Sequence, residues 1–154
     1  MKKLVLLLIL TLTAAVSQAG TKEQPMPGIG WPYKSFANYY RMSGASTQKG
    51  LIQWLLKNYL MDCRFDNGVC QWAYFEIQRG SSFSPEQVRN ILVNMSGENS
   101  ANWNYLRLEN GSTVFSTKDG VFAASVDTGS TGLMIGYFAY IQNVNVDGTS
   151  SLGN

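Results

Sequence analysis

Three glycine-containing turns cut the last third of the chain into short apolar segments, and this division restricts the fold more than any other feature. Asn110-Gly111, Asp119-Gly120 and the stretch from Thr128 to Gly132 are turn sequences, because glycine, asparagine and aspartate accept the positive φ that tight hairpins demand. Everything after Trp103 is therefore expected to be a meander of antiparallel strands. The longest strand is expected over Leu133 to Ile141, with Leu133, Ile135, Tyr137, Ala139 and Ile141 on one face and Met134, Phe138 and Tyr140 on the other. Apolar residues on both faces predict a central strand, covered on both sides. Val69 to Ile77 reads as a further strand, with Cys70, Trp72 and Tyr74 on one face and Ala73, Phe75 and Ile77 on the other.

Two segments carry helical signals. Ser84 is an N-cap, Pro85 takes the first helical position and Gln87 completes a capping box, with Phe83 placed to staple onto Val88. Val88, Ile91, Leu92 and Met95 then form one stripe that Gly97 ends. From Thr47 to Met61 the pattern also reads as helical, with Ile52, Leu55, Leu56, Tyr59 and Leu60 on one face and Gly50, Gln53 and Lys57 on the other. Trp54 and Met61 fall on the polar side of that helix, so the indole needs a cover. Residues 20–45, with Pro25, Pro27, Pro32, Gly28 and Gly30 followed by Trp31, Tyr33, Phe36, Tyr39 and Tyr40, read as an irregular arm that supplies the cover through its rings.

Residues 1–19 read as a secretory signal: Lys2 and Lys3, then the apolar stretch Leu4 to Val16, then Ser17-Gln18-Ala19 as the cleavage site. Export to a secreted or periplasmic location follows, with the cytoplasm and cytoskeleton as the alternative if the leader is not used. No stretch is long and apolar enough to predict stable membrane insertion. Without Lys2 and Lys3, the twelve basic residues become ten against ten acidic ones, and this balance points away from nucleic acid. Charged residues make up only 14 % of the chain, so its surface is polar through neutral groups. The remaining domain is expected over 46–146, as a monomer, with a frayed tail at 147–154.

Cys63 and Cys70, the two cysteines of an exported chain, are expected to pair as a disulfide. The eight-residue loop Cys-Arg-Phe-Asp-Asn-Gly-Val-Cys closes at about 2.5 kcal/mol of loop entropy. The chain holds no histidine, which removes histidine-based triads and most zinc sites; no metal site or cofactor is expected. Ser46-Thr47-Gln48-Lys49 has a Ser-x-x-Lys spacing but lacks its companion elements and reads as an N-cap serine near a solvated lysine. Val126-Asp127-Thr128-Gly129-Ser130 is similar to an aspartic-protease loop; a single copy would need a homodimer to bring two carboxylates together, and Asp127 reads otherwise as a turn residue. Asn94 and Asn110 begin glycosylation sequons that matter in a eukaryotic host.

Taken in order, several segments resemble profilin, a small binder of actin monomers and proline-rich peptides. The segment IQWLLKNYLM resembles its aromatic first helix, DNGVCQWA its turn into a Trp-Ala strand, SSFSPEQVRNIL its Phe-x-Pro helix start, YLRLENGSTVF a hairpin and DTGSTGLMIGYF a late strand. The likeness spans about residues 51–138. It departs at the leader, at a very short first strand from Cys63 to Phe65, at a missing hairpin before Asp119 and at the terminal helix that serves both of the family's binding faces. The resemblance implies an α+β domain, an antiparallel meander of about five strands with two main helices, and a non-enzymatic module that binds a protein or proline-rich peptide, actin included. It implies Trp72 as the ring that stacks on proline, with Trp54 or Tyr59 as the helix aromatic and Tyr74 beside them; Trp72 reads alternatively as core. Two other functions stay open: a disulfide-stapled binder or inhibitor of another target, and a dimeric aspartic-type hydrolase using Asp127.

Overall fold

The computed structural model describes residues 25–78, 81–107, 111–127 and 129–141; the leader expected over 1–19, Asn110 and the tail expected over 147–154 lie outside them. The elements are α1 (Tyr33–Tyr40), β1 (Ala45–Gln48), β2 (Leu51–Leu55), β3 (Tyr59–Asp66), β4 (Val69–Ile77), α2 (Pro85–Ser96), a 3-10 turn (Ser100–Asn102), β5 (Trp103–Arg107), β6 (Thr113–Thr117), β7 (Phe122–Val126), β8 (Gly132–Tyr137) and α3 (Phe138–Ile141). All eight strands form one antiparallel sheet in the order β1-β2-β3-β4-β8-β7-β6-β5. The fold is mostly β, and this overturns the expected α+β meander of about five strands with two main helices.

The largest correction falls on Thr47 to Met61, which is not a helix. Gly50 at φ +76 closes the β1–β2 turn, and Leu56 donates its N–H to the Tyr59 carbonyl to close the next. Trp54 and Met61, the two apolar residues stranded on the polar side of the helical reading, lie directly opposite each other on β2 and β3, and both are fully buried. Ile52 and Trp54 on β2, and Met61, Cys63 and Phe65 on β3, follow the strand period of two. Asn67 and Gly68, both at positive φ, make the two-residue turn that sends β3 into β4.

The region read as an irregular arm contains α1. Pro32 occupies its N-cap position in extended geometry, and Tyr33, Phe36 and Tyr40 recur on one face, with Arg41 in the left-handed region ending the helix. Phe36 stacks on Trp54 with ring centroids 5.8 Å apart, Tyr33 and Tyr40 flank the indole at 6.2 and 6.1 Å, and Trp54 Nε1 donates to the Met42 carbonyl at 3.1 Å. Ile29 and Gly30 anchor the approach to α1 by donating to the carbonyls of Met95 and Cys70.

On α2 the sequence signals become geometry. The Ser84 side chain accepts from the Gln87 N–H, the Gln87 side chain accepts from the Ser84 N–H, and Gly97 ends the helix in the left-handed conformation. Val88, Ile91, Leu92 and Met95 are buried in the same core as Phe36, Trp54, Phe75, Leu133 and Ile135. The two longer helices thus lie on one face of the sheet. The last strand is shorter than expected: Leu133 and Ile135 are buried, Met134 points to the opposite face, and Phe138 begins a helical turn whose N–H is held by the Val121 carbonyl.

If residues 33–40 belong to the core, Phe36→Ala will cost about 3–5 kcal/mol, read from the urea unfolding midpoint. Asn38→Ala, on the exposed side of the same helix, will stay within about 0.5 kcal/mol of wild type.

Candidate functional site

A single extra residue in β4 decides which side chains face the helices. Arg64 pairs with Trp72 and Phe65 with Cys70, so Gln71 is an unmatched bulge. Downstream of it, Ala73 and Phe75 face the core and Trp72 and Tyr74 face the other way; upstream, the bulge turns Cys70 back to the core. The expected grouping of Cys70 with Trp72 and Tyr74 is corrected by this one-residue shift.

The bulge also brings Cys70 onto the face of Cys63. Both are fully buried thiols, and Cys70 Sγ–H reaches the Trp72 carbonyl at 3.5 Å. Burial, then the Cys70 thiol, holds the Cys63 thiol well above its ordinary range.

Of the four aromatic residues singled out in the sequence, the structure brings two together. Trp72 and Tyr74 stand two residues apart on the sheet face that receives neither long helix, both half-buried. Trp54 lies in the core beneath α1, and Tyr59 is on the core face as well, edge-on to Phe75 at 5.5 Å. The ground beside Trp72 and Tyr74 is set by β8: Trp72 pairs with Gly136 and, one strand further, Gly136 with Ala123; Tyr74 pairs with Met134 and Met134 with Ser125. At Gly136 a side chain would strike the Trp72 backbone and Cβ, and at Gly132 it would strike the Tyr74 hydroxyl. Burial, then Glu76, Asp127 and Asp62, raises the Tyr74 hydroxyl above its usual range, so it remains a donor, and it makes no hydrogen bond among the described residues. On the strand side, Asp62 accepts from Gln53 at 2.9 Å and Arg64 pairs with Asp66 at 3.3 Å.

Asp127 is a turn residue in form. One carboxylate oxygen accepts from the Thr131 N–H at 2.8 Å and the other from the Thr131 hydroxyl at 3.0 Å, while its backbone bonds Gly132 and Ser130. Ser46 lies on β1, not at a helix start, and Lys49 follows in the turn.

A second concavity was not legible in the sequence. A cavity of about 400 Å³ opens between α2 and the β5–β6 hairpin, floored by Trp103, Phe115 and Val126 and roofed by Val88 and Leu92. Trp103 Nε1 in its wall is buried with no partner among the described residues, a state that costs about 1–3 kcal/mol. The alternation of Trp103, Tyr105, Thr113 and Phe115 marks only which face these residues share. That the helix above them leaves a gap depends on packing between distant segments.

Compared with family models, with curated proteins and with solved structures, the chain matches none. No helix among the described residues is long and apolar enough to cross a membrane.

The raised thiol gives a pH dependence with a definite sign. Above the ordinary thiol value, about 8.5, the unfolded chain releases the Cys63 proton while the native state keeps it. The unfolded state then binds fewer protons, so stability falls with rising pH. Tyr40, Tyr59 and Tyr74, each raised first by burial, add a second decline above about 10. Urea midpoints measured against pH on reduced protein will show both onsets; joining Cys63 to Cys70, or replacing both with alanine, will leave only the later one.

Proposed function

We propose that this chain is a non-enzymatic binding protein whose contact surface is the sheet face opposite α1 and α2, centred on Trp72 and Tyr74, and that it takes an extended, proline-rich segment of a partner protein. The observation that carries this reading is the placement of the two rings. Consecutive same-face positions of the central strand β4 hold an indole and a phenol, both half-buried, on the face opposite α1 and α2, beside the small residues Gly136 and Ala123.

Such a surface suits a polyproline II helix for physical reasons. That conformation is already extended, so it loses little entropy on docking, and its carbonyls have no internal partners. Flat rings cover the pyrrolidines, and the protonated Tyr74 hydroxyl can donate to a carbonyl. The leader expected at the start of the chain favours a partner met outside the cytoplasm. Asp127 is accounted for by its turn, which favours binding over the hydrolase reading.

Titration with a polyproline peptide, followed by intrinsic fluorescence, will show saturable binding. Trp72→Ala will weaken it about tenfold or more, as expected for an interface anchor worth over 1.4 kcal/mol, and Tyr74→Phe will weaken it less. An unresponsive wild-type protein across millimolar peptide, or a Trp72→Ala variant that binds as well as wild type, would refute the assignment.

A further inference from the structure

The two edges of the sheet are built differently. β1, at one end, has four exposed residues, three of them polar, and its register with β2 shifts between Ser46 and Gln48. Shortness, polarity and a bulge are the usual means of keeping an edge from pairing with other chains. β5, at the other end, has no bulge: its five residues pair with β6 in unbroken register from Trp103–Thr117 to Arg107–Thr113, and it carries the large rings of Trp103 and Tyr105.

The direction of its backbone groups follows from one bond. Lys118 donates to the Asn102 carbonyl at 2.9 Å, so Asn102 and Asn104 turn their main chain toward β6. In an antiparallel ladder the alternate residues, Trp103 and Tyr105, then turn theirs outward. The same two residues put their side chains on the cavity face beneath α2. Tyr105, 63 % exposed, and Arg89, exposed on α2, form the rim of the 400 Å³ space.

We propose that β5 is a second binding site, at which an extended segment of a partner protein adds as a ninth strand and places apolar side chains in the cavity under α2. Main-chain bonds to Trp103 and Tyr105 supply the pairing. Side chains of the added strand at alternate positions lie on the cavity side, so the segment has aliphatic residues at every second position. Arg89 forms no ion pair among the described residues, and it favours a carboxylate next to the segment's buried residue. A second copy of this chain fits less well, because its own Trp103 and Tyr105 would remain over its own cavity. The residues after Ile141, Gln-Asn-Val-Asn-Val-Asp-Gly-Thr-Ser-Ser-Leu-Gly-Asn, are mostly polar.

The test is selection of a random-peptide display library on the full chain, followed by affinity measurement of the enriched peptides as synthetic products. Enriched sequences will alternate aliphatic and polar residues, with an acidic residue. Tyr105→Pro deletes an outward N–H that β6 does not use, and Val93→Trp fills the cavity from α2; each will weaken the peptides tenfold or more, while Trp72→Ala will leave them unchanged. Equal binding to Tyr105→Pro and Val93→Trp would overturn the proposal, as would failure to enrich any alternating sequence. Concentration-dependent dimerisation abolished by Tyr105→Pro would assign the edge to a second copy instead. Binding by a chain ending at Ile141 but not by the full chain would assign it to residues 142–154. Both results are contrary to the proposal.

Discussion

The pairing of β4 with β8 holds the structure together. Each half of the chain is a helix followed by a four-stranded meander that runs from an edge of the sheet to its centre, α1 with β1–β4 and α2 with β5–β8. Neither half closes a core alone. Trp54, Met61 and Phe75 come from the first and Val126, Leu133 and Ile135 from the second, and they meet because Phe75 lies opposite Leu133 and Ala73 opposite Ile135. The seam also sets the candidate site. Gly132 and Gly136 stand on β8 where any side chain would collide with Tyr74 or Trp72, so the same pairing that buries one face fixes the rings on the other.

What the sequence made legible was local. The capping box of α2 uses side chains and N–H groups within four residues of one another, so Ser84, Pro85 and Gln87 identify it without tertiary information. The turns at Asp119-Gly120 and around Gly129 are legible for the same reason. Thr47 to Met61 was misread because apolar residues at Ile52, Leu55, Leu56, Tyr59 and Leu60 satisfy a helical spacing by coincidence, two strands and a turn being superposed on it. The residues that betrayed the error were Trp54 and Met61, which a helix would have exposed and the hairpin buries. In α1 the aromatic spacing was present, but the prolines and glycines before it dominated the reading.

The site divided along the same line. That Trp72 and Tyr74 share a face follows from the strand period alone, and that period placed them together correctly. Trp54 and Tyr59 could be excluded only by knowing the sheet, since their burial depends on α1 and on Phe75. Likewise the company of Cys70 was set by Gln71. A bulge reverses the facing of every residue on one side of it, and nothing in Val69 to Ile77 marks where β3 will fail to match it. The cavity under α2 lies further still from sequence, because it is the space left where a helix from the crossover meets a hairpin formed later in the chain.

The scarcity of charge acquires a location in the fold. Across the face opposite α1 and α2 the rows run Gln53, Asp62, Tyr74, Met134, Ser125 and Leu51, Arg64, Trp72, Gly136, Ala123, Ser116. The charged members of these rows are Asp62 and Arg64, already engaged by Gln53 and Asp66. Covering a charged face would strip water from ions at a cost that pairing recovers only with good geometry. Covering neutral hydroxyls, amides and rings costs far less when a few hydrogen bonds are remade. The charges on this face, Asp62, Arg64, Asp66 and Glu76, lie on β3 and toward the end of β4, whereas the neighbours of Trp72 and Tyr74 across β8 and β7 are neutral, so the ground from the two rings toward β7 is the part of the face that loses least on being buried.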